Sequence, residues 1–338
     1  MRDLEILNAI KEKQYFTNSL LLEPDIFDEN QVCKFENQST NEVFCFFKKT
    51  KYNYENMFFY ANHSTLSNYT QIQWKKARFV TEFLTLENNT ETLSQVNQWL
   101  NQQGSYLYRT VYRMYFLKTI QQNYVFDSRV EHPSENDFEE ILFLLEQNFD
   151  KYSERIPTLE KLKLWQKSTF IIKENNEIAA ILVTETKGKS NEQHFWLVLE
   201  KFRGKGYGEL IFTYCLNFNP NITRYMSWLD VRNSYSIKKH AEFGFKKDRI
   251  YNHIYLNSKI MKEEIIKILE EARPEFDFND ENIDYISAGY LDSFDIITLV
   301  VDLETKFDVK ILGALILPEN FSSVAAILKL IATSKNAS

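Results

Sequence analysis

Glycine is scarce in this chain: eight residues in 338, against three cysteines and six prolines. Three cysteines (Cys33, Cys45, Cys215), odd in number and without metal-ligand spacing, exclude a disulfide framework and a zinc-finger-like site. No metal site is expected. No apolar run approaches the roughly 18 residues that a membrane span needs. The opening Met1-Arg2-Asp3-Leu4-Glu5 carries early acids and no apolar signal core. These absences predict a cytoplasmic protein with reduced thiols and no membrane contact. There is also no basic stripe to neutralise phosphates, so nucleic acid is excluded as a partner. What remains is ordinary globular material, 44% apolar and 26% charged, long enough for two or three domains.

Charge and glycine are both unevenly spent along the chain. From Lys259 to Ser338 there are 8 Lys and Arg against 15 Asp and Glu, which accounts for the entire net charge of −7. That shift marks a separate acidic module. Only Gly104 and Gly188 precede residue 200, and then Gly204, Gly206 and Gly208 fall within five positions. They lie between Phe195–Leu199, an apolar run of strand character, and Leu210–Leu216, which reads as the buried face of a helix. Glycines in Arg203-Gly204-Lys205-Gly206-Tyr207-Gly208 let the backbone approach a ligand, and amides at a helix start point at an anion. A pyrophosphate with adjacent cations suits that chemistry; a tight turn without a ligand suits the glycines alone. Further on, Leu229-Asp230-Val231-Arg232-Asn233-Ser234-Tyr235 runs through His240 to Gly244-Phe245, in the order strand, Asn-started helix, Gly-Phe.

Together these two stretches resemble the GNAT superfamily of acyl-CoA-dependent acyltransferases. Arg203, Gly206 and Gly208 match its pyrophosphate loop, with Gly204 and Tyr207 inside it. The strand ending at Val198 matches the one whose backbone pairs with pantetheine, and Asn233 opens the matching later helix. The resemblance covers about residues 126–257 and takes in Asp137–Asn148 as a helix. It also takes in Ser168–Lys173 and Glu177–Thr184 as a hairpin about Asn175-Asn176. It implies a mixed-sheet α/β fold, acetyl-CoA or another acyl-CoA as cofactor, and direct attack of an amine or thiol on the thioester. The family often places a tyrosine, as acid for the departing thiolate, seven residues after the helix-opening Asn. His240 stands there, and an imidazolium donates protons near neutrality. Tyr235 is the alternative donor, while His194 and Glu192 are candidates for the base; each has a bland packing or surface role as its alternative.

The acidic tail predicts helices over Lys259–Glu271, from Ser293 to Lys306, and over Ser322–Ala332, four short helices in all. Gly289-Tyr290-Leu291-Asp292-Ser293-Phe294 opens the second long one. Asp-Ser is a good helix N-cap on its own. In this acidic, helical setting it resembles the attachment motif of an acyl or peptidyl carrier protein. The resemblance implies 4′-phosphopantetheine on Ser293, a phosphopantetheinyl transferase as partner, and other biosynthetic enzymes docking on Asp295, Asp302 and Glu304. Residues 1–125 read as aromatic-rich strands (Glu42–Lys48, Asn56–Ala61, Arg78–Leu84, Tyr106–Leu117) and a helix, Thr90–Gln102. They have no Arg-x-x-Gly-x-Gly, and their mix suggests a degenerate second GNAT-like half.

The expected organisation is thus 1–125 degenerate half, 126–257 acyltransferase and 258–338 all-α carrier domain. About five residues, from Leu256 to Met261, would serve as the last linker. The expected activity is acyl transfer from CoA to the carrier thiol or to a carrier-tethered amine in a biosynthetic pathway. The alternative is a catalytically weak GNAT scaffold whose main role is to present a tethered intermediate.

Overall fold

The computed structural model describes residues 16–17, 32–36, 42–61, 78–118, 127–218 and 220–336. The chain forms two compact units, residues 111–251 and residues 1–110 with 252–338. The boundaries between them fall inside two long strands.

The unit of residues 111–251 contains the end of β6 (Ser105–Leu117), then β7 (Val130–Glu131), helices α2 (Phe138–Asn148) and α3 (Leu159–Leu164), and strands β8 (Thr169–Glu174), β9 (Glu177–Lys187) and β10 (Ser190–Val198). Helix α4 (Tyr207–Phe218), β11 (Arg224–Asp230), α5 (Ser234–Glu242) and the start of β12 (Lys246–Asn257) follow. Its strands lie in the order β6-β11-β10-β9-β8-β7. Only β10 and β11 pair in parallel among the pairs described here, because α4 carries the chain back between them.

Strand β9 is apolar on both sides, and the cores explain why. Ala180 and Leu182 join Phe170, Ile211, Phe212 and Tyr225 on one face. Ile181 and Val183 join Ile141, Leu145, Phe195 and Leu197 on the other. A strand covered on both faces loses the polar alternation of a half-exposed one. Asn175 and Asn176, with φ of 54° and 64°, make the two-residue turn joining β8 to β9. Asparagine tolerates that left-handed backbone better than most residues, and paired positive φ values match the twist of a hairpin.

The other unit holds β1 (Phe16–Thr17), β2 (Val32–Glu36), β3 (Glu42–Lys49), β4 (Glu55–Ala61) and β5 (Phe79–Leu86). Helix α1 (Thr90–Gln102), the start of β6 and the end of β12 complete its α/β part. Strands β2, β3 and β4 form an antiparallel meander, and β4 then pairs with β5 in parallel. The strand pairing of the first-described unit therefore recurs: an antiparallel meander whose last strand takes a parallel neighbour. Here the parallel pairing stops at Met57 opposite Thr81. Just beyond it Phe59 packs 5.1 Å from Trp99 and 6.2 Å from Phe83, centroid to centroid. An aromatic plug fills the place where the two strands part.

Residues 258–336 are helical and belong to this same unit. Helices α6 (Ser258–Ala272), α7 (Ser293–Phe307) and α8 (Val324–Asn336) bury Ile260, Met261, Leu269, Leu299, Leu303 and Ile331. Four helices were expected and three α-helices form; between α7 and α8 there are two 3₁₀ turns, Gly313–Leu315 and Pro318–Phe321. Glycine and proline there are poor interior helix residues, and short 3₁₀ turns accommodate them. The expected linker is absent. Strand β12 ends at Asn257, whose side chain accepts from the Lys259 amide and caps α6 directly. Among the described residues no helix is long and apolar enough to cross a membrane.

Candidate active site

Strands β10 and β11 run side by side for four residues and then part. The register is Ser190 with Arg224, Asn191 with Tyr225, Glu192 with Met226 and Gln193 with Ser227, and no further pair forms among the described residues. Each strand continues on its outer side: β10 stays paired with β9 as far as Val198, and β11 with β6 as far as Asp230. A bulge between Gln193 and Phe195 sits at the point of parting. Bulges bend a strand and disrupt its ladder, which is how β10 turns away. The backbone of residues 194–198 is left with hydrogen-bonding groups that no strand uses on the β11 side. Such an edge accepts an extended ligand with amide groups.

Beyond Val198 the chain makes a 3₁₀ turn, Glu200–Phe202, and enters the glycine loop. Gly204 and Gly206 have φ of +83° and +77°, backbone that side chains with a Cβ rarely adopt. A Cβ at either would meet nothing within 4 Å, so open space lies beside both. At Gly208 a Cβ would come 3.5 Å from Val198 Cγ2 and 3.8 Å from Trp196 Nε1, so its smallness lets α4 lie close to β10. The first internal bond of α4 runs from the Leu210 amide to the Gly206 carbonyl, so the amides of Tyr207, Gly208 and Glu209 have no acceptor within the helix.

The loop's cations are not equally available. Arg203 is half exposed and lies 3.9 Å from Glu200 Oε1, a loose pair. Lys205 Nζ is 2.6 Å from Glu174 Oε1, and the Tyr207 hydroxyl donates to Glu174 Oε2 at 2.6 Å. Those two bonds hold the Glu174 carboxyl below its usual range and raise Tyr207 and Lys205.

Helix α5 opens as its sequence indicates: Asn233 Oδ1 accepts the Ser236 amide at 3.0 Å. Asn233 therefore acts as an N-cap. Tyr235, in the first turn, is 61% exposed with Lys239 Nζ 6.0 Å from its ring. His240 is buried. Its Nδ1 lies 2.8 Å from the Ser236 carbonyl, so Nδ1 carries a proton; Nε2 lies 3.1 Å from Ser227 Oγ and accepts from it. Trp196 and Phe245 meet the ring nearly edge-on at 5.0 and 5.1 Å. Burial lowers the imidazole pKa from its usual value. Burial thus disfavours the imidazolium form that a ready proton donor would need, and Nε2 accepts a hydrogen bond from the serine hydroxyl.

His194 occupies the bulge and packs on the other face of the sheet. It stacks on Trp165 at 4.9 Å and 7°, with Nε2 3.3 Å from Glu185 Oε2. Glu192 accepts from Trp228 Nε1 at 3.1 Å. Glu185, Glu192 and His194 place their ligand-capable atoms within 4.8 Å of one another. Lys187 Nζ sits 2.9 Å from Glu185 and 3.8 Å from Glu192, so a side-chain ammonium already supplies positive charge. His194 and that ammonium hold Glu185 down at about 2. His240 and His194 are thus not brought together; Phe195 and Trp196, on opposite faces, separate their surroundings. Ser227 was missed. Its signal was a lone hydroxyl in the buried column Tyr225-Ser227-Leu229.

Ser293 is exposed at the first position of α7. Asp292 and Asp295 form a capping box: Asp292 Oδ1 accepts the Phe294 and Asp295 amides at 2.7 and 3.1 Å, and Asp295 Oδ2 accepts the Asp292 amide at 2.8 Å. The serine hydroxyl is not used for it. Of the three acids expected to face partners, Asp295 is held by Arg273 at 2.8 Å and Glu304 accepts from Ile311 N and Lys310 Nζ. Asp302 is exposed on α7, beside three exposed apolar side chains: Phe294, Ile297 and Val301 are 82%, 62% and 58% exposed.

No protein-family model matches the chain, and no relative was found among the curated proteins. Among solved structures the chain is similar to a GCN5-related N-acetyltransferase from Sphaerobacter thermophilus. The identity is 11% and the TM-score 0.47, over 64% of this chain and 76% of that one. It is similar also to a GNAT-family acetyltransferase from Colwellia psychrerythraea, at 12% identity and TM-score 0.47, over 75% and 95%. A tandem GNAT protein from the clavulanic acid biosynthesis pathway matches at 8% and 0.42, over 64% and 78%.

Proposed function

We propose that the chain is a GNAT-type acyltransferase that takes an acyl group from CoA and delivers it to an amine or thiol, with residues 258–338 serving as its carrier module. The parting of β10 from β11 carries this reading. An extended arm bearing amide groups can continue the ladder where β11 leaves it, along residues 194–198, with Val198 beside it. Its pyrophosphate then reaches the amides of α4 and the open side of Gly204 and Gly206, where Arg203 supplies a cation. Holding the thioester at the fork makes its attack effectively intramolecular.

The carrier reading rests on Ser293: an exposed hydroxyl at a helix start, in an acidic module, with the capping done by its neighbour. Acyl transfer to the carrier thiol and acylation of an amine tethered there both remain within it, as does docking of a phosphopantetheinyl transferase and other biosynthetic enzymes on α7. The scaffold alternative draws on one observation, the Glu174 carboxylate that holds Lys205 and opposes a phosphate at that edge. One experiment separates them. Holo protein and acyl-CoA should give a hydroxylamine-labile thioester, or a stable amide once the carrier bears an aminoacyl group. Bound CoA with no product from any acyl-CoA would favour the scaffold.

A further inference from the structure

Ser227 and His240 have a relationship that reaches past positioning. Ser236 C=O can only accept, so it fixes the proton on His240 Nδ1 and leaves Nε2 as a base aimed at Ser227 Oγ, 3.1 Å away. A hydroxyl donating to a base whose other nitrogen is anchored is the arrangement of an activated nucleophile. Its place is specific: Ser227 is the last residue of β11 paired with β10, at the root of the fork. Its register partner Gln193 is buried, with neither side-chain Oε1 nor Nε2 bonded within the protein. A buried amide in that condition calls for a polar guest. Burial disfavours the protonated ring, so the Nε2 lone pair stays available to Ser227.

We propose that Ser227 is a covalent nucleophile with His240 as its base, so that acyl transfer proceeds through an ester on the protein. The proposal rests on the acyl-CoA reading above and deepens it. In the first half, Ser227 Oγ bonds to the thioester carbonyl carbon and passes its proton to His240 Nε2. The carbon–sulfur bond breaks, and the CoA thiolate takes that proton from Nε2 and leaves as the thiol. In the second half, an acceptor amine bonds to the ester carbon and its proton passes to Nε2. The carbon–oxygen bond breaks, and Ser227 Oγ recovers the proton. His240 thereby serves the departing thiolate without starting as an imidazolium. Backbone amides of β10 beyond Gln193 are donors available to the carbonyl oxygen.

The test uses the full chain carrying Ser293→Ala, which removes the competing arm. With acyl-CoA and no acceptor, acid quenching should show one acyl increment, mapped to the Ser227 peptide, and a burst of about one CoA per chain. Initial rates against acyl-CoA and a free primary amine, standing in for the acceptor that the Ser293 arm would carry, should follow a ping-pong pattern. Ser227→Ala, a near-isosteric change, should lose turnover by roughly 10³-fold or more. Ser227→Cys should keep the adduct as a hydroxylamine-labile thioester. Turnover that persists in Ser227→Ala, or an intersecting kinetic pattern with neither burst nor adduct, overturns the covalent step and leaves the acyltransferase reading standing. Absence of any CoA release while CoA binds overturns both.

Discussion

The amide of Ser258 donates to the carbonyl of Gly104 at 2.7 Å, and through this bond the first residue of α6 is fixed to the turn that precedes β6. Gly104 has φ of +70°, and a Cβ there would stand 3.4 Å from Ser258 Oγ. Arg78 pairs with Glu263 one turn further along α6. Phe307 meets Tyr108 edge-on at 6.4 Å, and Lys335 Nζ donates to the Tyr108 carbonyl at 2.8 Å. These contacts bind the C-terminal helices to the strands of their own unit. The Ser293 region is held to that unit.

Limited proteolysis tests this attachment. Trypsin should not cut after Lys259 or Lys262 before the unit unfolds, because both lie in a helix that continues a buried strand without a break. Release of an intact C-terminal fragment from the native protein at low protease concentration would show that a mobile linker exists after all.

Gly206→Val addresses the loop. With nothing within 4 Å of the new Cβ, the cost to the protein comes from the backbone at φ +77°, about 1–2 kcal/mol. The domain should fold with a modestly lower Tm. The valine side chain would occupy the open space beside the loop, and calorimetry should find CoA affinity reduced at least tenfold. Unchanged affinity in the folded variant would remove the loop from the phosphate site.

Asp292 and Ser293 divide two tasks, and substitutions should separate them. Ser293→Ala should leave α7 intact by circular dichroism and abolish the single phosphopantetheine increment that a broad-specificity transferase adds. Asp292→Ala removes the acceptor of two amides and should lower thermal stability instead, with Ser293 still chemically present. An increment that survives Ser293→Ala would place the modification elsewhere.

Much of this is legible in the residues because it is local. Thr90–Gln102 is a helix with the bounds its pattern predicts, Asn175-Asn176 make the turn, Asn233 caps α5 and Asp292 caps α7. Each depends on a side chain and backbone groups a few positions away. What could not be read involves partners far apart in the chain. Ser227 and His240 are thirteen residues apart, and His194 stacks on a tryptophan 29 positions earlier. Glu304 looks like a surface acid until the chain turns back and its Ile311 amide claims the carboxylate. The missing linker has the same origin: strand and helix abut because both are packed, which neither segment states alone.

The last prediction concerns acid. His253 is buried, with Nε2 2.9 Å from Thr85 Oγ1 and Nδ1 3.1 Å from Thr110 Oγ1. Burial pushes its pKa down to about 4, against an unfolded value near 6.5. Between those values the unfolded chain holds a proton that the folded one does not. The stability this group contributes is therefore complete above pH 6.5 and is lost as pH falls toward 4. At about 1.4 kcal/mol per unit, the loss is of the order of 3 kcal/mol. His240, also lowered by burial, adds to it with the same sign. Lowered carboxylates such as Glu185, at about 2, lose their contribution only below roughly pH 4.5, so the histidines dominate above that. Urea midpoints should fall between pH 7 and pH 5, and His253→Gln should flatten that fall whatever it does to the midpoint at pH 7. An equal slope in the variant would mean that His253 stays accessible to protons in the folded state.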